Sequence, residues 1–84
     1  MLIEIYTVHD SATGAFLQPF FAQRDGAALR GFSDLVNQEG HEFNKHPEGY
    51  TLFNIGTYND ENGTIEPREP KSLGNAVTFL TGER

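Results

Sequence analysis

Residues 15–38, AFLQPFFAQRDGAALRGFSDLVNQ, change hydrophobic period part way along. A short apolar run from Ala15 to Phe21 gives way to a helical pattern in which Ala28, Leu29, Phe32, Leu35 and Val36 share one side. Gln23, Arg30, Ser33, Asp34 and Asn37 take the rest of the cylinder, so the helix has a single stripe to bury. Asp25 is expected to cap it, its carboxylate accepting from the freed N–H groups of the first turn and facing the positive end of the dipole. Gly40 supplies a left-handed stop, which sets the helix at residues 25–39. Gly31 inside it costs roughly 1 kcal/mol relative to Ala, so the backbone there either packs closely on a sheet or simply tolerates the glycine.

Toward the N-terminus, Leu2 to Val8 (LIEIYTV) is β-branched and aromatic, with apolar groups on both alternating faces, which predicts a central strand. HDSATG collects turn formers, so Ala15 to Phe21 returns antiparallel as the second arm of a hairpin. Pro19 cannot donate to a ladder, so this arm lies at an edge or breaks there. Toward the C-terminus, His41 to Tyr50 reads as a loop with its turn at Lys45–Gly49. Tyr50 to Tyr58 (YTLFNIGTY) reads as a strand with Phe53 and Ile55 toward the helix. Asn62-Gly63 predicts a type I′ hairpin turn that folds Thr64 to Pro67 back on residues 58–61. Pro67 and Pro70 force an extended arm that cannot lie at a sheet centre. In SLGNAVTFL, Leu73, Ala76, Val77 and Leu80 suit a short helix behind Ser72, although Val77, Thr78 and Phe79 also favour strand; a short helix is the expectation.

The expected architecture is a single α+β domain over residues 1–84. It comprises a hairpin (1–22), the helix (25–39), a second hairpin (50–67) and a Pro-containing arm (68–84), in ββαββ order. About four antiparallel strands carry the helix on one face. At 84 residues such a domain buries about 60% of its unfolded surface and has little stability to spare, which favours a homodimer. MLIEIYTVHD carries neither a basic region nor a long apolar one, and no run approaches the ~20 apolar residues of a membrane span, so a soluble intracellular protein without membrane contact is expected. Absence of cysteine excludes disulfides and thiolate zinc sites.

Charge restricts the partners. Twelve Asp and Glu against six Lys and Arg give a net charge of −6, the wrong sign for a chain that grips nucleic acid through a basic surface. The candidate phosphate contacts, Arg24, Arg30, Lys45, Arg68 and Lys71, are scattered, and Glu66, Glu69 and Glu83 dilute the C-terminal group that Arg84 would join.

Motifs for chemistry are missing. His9, His41 and His46 have no partners at a metal-ligand spacing. Asp60, Asn62, Gly63, Ile65 and Glu69 fall at EF-hand offsets, but Tyr58 stands where the first ligand must be Asp, so a plain hairpin turn is expected. No serine has a nucleophile-elbow setting, no glycine pattern cradles phosphate, and the carboxylate pairs have no apolar pocket beside them. No catalytic residue, metal or cofactor is assigned. Adjacent Phe20 and Phe21 must point to opposite sheet faces. One of them, with Phe16 and Tyr6, therefore marks a candidate partner or oligomer surface, unless the C-terminal arm covers that face.

Three segments carry a resemblance: residues 5–37 with QPFF and the helix Ala28, Arg30, Phe32; KHPEGYTLFNIGTYNDENG at 45–63; and SLGNA at 72–76. In this order they resemble the small nonstructural protein of gokushoviruses, single-stranded DNA phages of the microvirus group. The resemblance implies an early, non-virion protein of the infected bacterial cytoplasm. It would act in the change from duplex replication to single-stranded genome synthesis or packaging, with phage replication or packaging proteins as partners. Some such proteins are described as DNA-binding, and the family offers no catalytic residues. The expectation is a non-enzymatic accessory protein working through protein contacts; the alternatives are a weak single-stranded DNA binder and a scaffold or host-factor antagonist.

Overall fold

The computed structural model describes residues 1–81; Glu83 and Arg84 lie outside the described residues. The chain forms β1 (Leu2–Asp10), β2 (Ala15–Phe16), β3 (Phe20–Ala22), α1 (Asp25–Val36), the one-turn α2 (Glu42–Lys45), β4 (Tyr50–Asn59) and β5 (Thr64–Asn75). A 3-10 turn precedes β4 at Pro47–Gly49, and a second, Ala76–Phe79, follows β5. The strands make one antiparallel sheet in the order β2–β1–β4–β5, with β3 also paired to β1. This is the α+β fold expected from the sequence, with β1 central.

Pro19 breaks the second strand as expected, leaving β2 and β3 on one edge of β1. The linking residues stay pinned, Thr7 Oγ1 donating to the Leu17 carbonyl at 2.6 Å and the Leu17 amide donating to Val8 at 2.8 Å. The opposite edge is β5. It runs through Pro67 and Pro70 to Asn75, so the second hairpin extends well beyond residue 67 and the proline arm is its outer strand. Both edges lack amide donors at proline, which blunts them against further strand pairing.

Both hairpin turns use one device. Asp10 and Asn59 each accept a bond from the amide two residues on, at 2.9 Å, through the side chain, and from the glycine four residues on, at 2.8 Å, through the carbonyl. Gly14 and Gly63 take that fourth position with φ 74°. Asn62 keeps a negative φ, so the second turn is a four-residue loop and not the expected type I′ turn. Asn62 instead uses its side chain to accept the Thr64 amide.

The core lies between α1 and one sheet face, where Tyr6, Val8 and Leu52 meet Ala28, Phe32 and Val36, with Phe43 and Ala76 closing the ends. Four expectations are corrected here. Leu52 and Asn54, not Phe53 and Ile55, face the helix, because they pair with Val8 and Tyr6 on the covered face of β1; Ile55 is a bulge residue that shifts the β1–β4 register. Helix α1 stops at Val36, since the Asn37 side chain ties Ser33, Phe79 and Thr81 together; Gly40 falls in the following turn. The presumed loop after it holds α2, capped by the His41 ring, which accepts the Phe43 amide at 3.0 Å. Ser72 caps nothing: it belongs to β5, and Asn75 caps the 3-10 turn instead by accepting the Val77 amide. A Cβ at Gly31 would meet nothing within 4 Å, so that glycine is merely tolerated.

Two glycines are required by close approach. A Cβ at Gly56 would lie 2.4 Å from the Glu66 carbonyl oxygen, and one at Gly74 would lie 2.9 Å from the Phe79 ring. They end the NIG and SLG segments on which the resemblance rests.

Candidate functional site

Two places gather unusual side chains, one polar and one aromatic, on opposite faces of the sheet. The polar one sits at the N-terminus of α1. Asp25 does not cap the helix; Arg24 is the cap residue and makes no side-chain cap bond. The Asp25 carboxylate accepts instead from the Tyr6 hydroxyl at 2.8 Å, Asn54 Nδ2 at 3.0 Å and Lys71 Nζ at 3.3 Å. Asn54, fully buried, also donates to Glu4 at 2.9 Å, and its carbonyl oxygen accepts from Arg68 and from the Gly56 amide freed by the bulge. Arg68 pairs with Glu4 at 3.1 Å.

The electrostatics follow from these bonds. The Tyr6 hydrogen bond holds the Asp25 carboxyl below its ordinary range, aided by Asn54 and Lys71 against the desolvation that opposes them. Burial pushes the Tyr6 phenol well above its ordinary value, with the Asp25 hydrogen bond adding to it. No buried side-chain polar atom among the described residues lacks a partner. The cluster is therefore a closed lock that fixes the helix start against β1, β4 and β5.

Of the five candidate phosphate contacts, Arg68 and Lys71 belong to this lock, and Lys45 pairs with Glu42 at 3.9 Å. Arg24 and Arg30 have no ion pair among the described residues; Arg24 precedes α1 in extended backbone and Arg30 lies within the helix. Folding brings Arg68 and Lys71 together on Glu4 and Asp25, with Arg24 lining the shallow cleft beside them, and leaves Lys45 in α2 and Arg30 further along α1. The histidines are also dispersed: His9 lies in β1, His41 caps α2, and His46 joins α2 to the next turn. Among the described residues no group of three or more His, Asp or Glu is placed to hold a metal.

The aromatic place is the sheet face away from α1. Phe20 and Phe21 do diverge: Phe20 stacks on Tyr6 at 5.6 Å on the helix side, and Phe21 meets Tyr58 at 5.8 Å on the other. Beside them Phe16, Phe53 and His9 form a ring cluster, with Phe16 4.7 Å from His9 and 5.7 Å from Phe53. Phe16 is 51% and Phe21 54% exposed. Tyr6, grouped with them from the sequence, is fully buried in the core and offers nothing to a partner. Phe20 is 36% exposed, at the rim of a groove beside α1. Phe53, expected under the helix, joins this face because it pairs with Thr7, on the side of β1 away from the core.

Between these rings lies an apolar cleft of about 290 Å³ lined by Thr7, Phe16, Leu17, Pro19, Ile55 and Pro70. The C-terminal 3-10 turn does not cover it. That turn packs on the helix side, Phe79 lying 5.6 Å from Phe32 and its carbonyl accepting from Asn37.

A small antiparallel sheet under one main helix, with a polar lock on one face and exposed aromatic rings on the other, defines an α+β domain. The chain belongs to the family described as Phage ORF5 protein, whose match covers residues 3–79. No curated protein and no solved structure matches it. No helix among the described residues is long and apolar enough to cross a membrane.

Proposed function

We propose that this phage protein is a non-enzymatic accessory protein that works through protein contacts made by its open aromatic sheet face. The observation that carries the reading is the exposure of Phe16 and Phe21 on the sheet face away from α1, beside a strip where Ile5 and Thr7 are buried. Contiguous exposed aromatic surface of this kind is what protein interfaces bury. The cations argue the same way, since Lys45, Arg68 and Lys71 are each held by a carboxylate of the same chain.

The resemblance to gokushovirus nonstructural proteins supplies the setting: the host bacterial cytoplasm, outside the mature virion, at the switch from replication to single-stranded genome synthesis or packaging. Replication or packaging proteins of the phage are the partners this implies. Weak single-stranded DNA binding is the second reading, favoured by rings exposed enough to stack on unpaired bases. A scaffold or host-factor antagonist would use the same face.

Titration of a fluorescent single-stranded oligonucleotide at low and physiological salt separates these readings, alongside capture of co-expressed phage proteins. The protein-contact reading expects capture that Phe21→Glu abolishes and no oligonucleotide binding. Micromolar binding that weakens steeply with salt would replace it with the DNA reading.

A further inference from the structure

We infer that the open sheet face is an isologous interface for a second copy of this chain, with Phe21 of each copy seated in the apolar cleft of the other. The inference rests on the protein-contact reading above and names the occupant of that surface. The molecule measures 45 × 25 × 18 Å, and its shortest dimension is that of one sheet and one helix layer. A third layer is missing on the Phe21 side, where a second sheet would complete a sandwich.

Size, charge and shape select the second copy. Strands β1 and β4 run nine and ten residues, and four strands side by side make a face of about 30 by 19 Å, roughly 600 Å² before the relief of the rings is added. A stable specific interface takes about 800 Å² from each partner. A chain of net charge −6 repels its own copies most surfaces over. This face is poorer in charge, because the residues that β1 to β4 place there (Ile5, Thr7, Phe21, Phe53, Tyr58) and their β5 neighbours by register (Ile65, Pro67, Ser72) include no Asp, Glu, Lys or Arg. Both sheet edges carry proline, which lacks an amide donor, so a copy is steered to the face and away from strand addition.

The face also carries a knob and a hole. Phe21 pairs with Ile5, and Phe16, at the cleft, pairs with His9, four residues along β1 or about 13 Å. A two-fold axis lying in the interface and crossing the strands at the level of Thr7, which lines the cleft, places each Phe21 over Phe16 at the rim of its mate's cleft, the self-complementarity that a closed dimer requires.

Sedimentation equilibrium of the purified chain is the test. The wild type is expected at twice 9.4 kDa. Phe21→Glu, and Phe21→Ala as the milder change, are expected to raise the dissociation constant about thirty-fold or more, the size of an interface hot spot, with unchanged circular dichroism. Val77→Glu, at an exposed apolar position beyond this face, is expected to stay dimeric. A monomeric wild type, or a Phe21→Ala protein as dimeric as wild type, overturns the inference. If that monomer still captures a phage protein through Phe21, the second copy fails while the protein-contact reading stands; if it captures none, both fail.

Discussion

The two faces of this sheet draw on the same residue types and meet different fates. On one, Tyr6, Val8 and Leu52 are sealed beneath Phe32 and Val36, and the polar groups that enter are satisfied by one another. On the other, Phe16 and Phe21 stand more than half exposed beside Phe53 and Tyr58. Aromatic content therefore does not separate core from surface here; coverage does, since the chain spends its one long helix and its C-terminal turn on the same side. Each change below presses on that asymmetry.

The largest effects belong to the covered face. Phe32→Ala and Leu52→Ala remove fully packed side chains, and each is expected to cost about 2–5 kcal/mol in urea denaturation. Gly56→Ala, whose new Cβ would press on the Glu66 carbonyl, is expected to rank with them and to shift the β4–β5 hairpin.

Next comes the polar lock. Asn54→Leu leaves the Gly56 amide, Asp25 and Glu4 short of partners, and a loss of about 2 kcal/mol is expected. Its pH dependence has two limbs. The folded-state pKa of Asp25 is depressed, so its contribution is present above about pH 4 and is lost as pH falls through the depressed value. That of Tyr6 is raised, so its contribution is complete below about pH 10 and is lost as pH rises beyond it. Denaturation midpoints across pH should show Asp25→Asn flattening the acid limb and Tyr6→Phe the alkaline one.

The smallest effect on the monomer falls on the open face. Phe21→Ala should change the stability of an isolated chain by no more than about 0.5 kcal/mol, read as the denaturation midpoint at high dilution. A loss as large as that of Leu52→Ala would mean that Phe21 is core, and the contrast between the faces would collapse.

Much of this arrangement is written in local patterns. The stripe of α1, the break at Pro19, the edge position of the proline-bearing β5 and the divergence of Phe20 and Phe21 all follow from periodicity or from a missing amide. The shared Asp10/Gly14 and Asn59/Gly63 turns are also legible as Asx followed by Gly four residues on, although the Asn62-Gly63 pair offers a competing turn signal. What could not be read depends on distant partners. The lock joins Glu4 to Asn54 and Arg68 across 50 and 64 residues, and no spacing rule predicts that Asp25 will leave its cap for it. A period of two assigns residues to alternate faces without saying which face is covered, so β4 was inverted and Phe53 hidden from the candidate site. Phe43 carries no pattern signal, because one turn of helix is too short to show a period.

The concentration dependence of thermal unfolding tests the central claim most directly, because a dimer gains stability by mass action and a monomer does not. Over about two decades of protein concentration the midpoint of the wild type should rise while that of Phe21→Glu stays flat. A flat midpoint for both would contradict an open face that exists to meet its own copy.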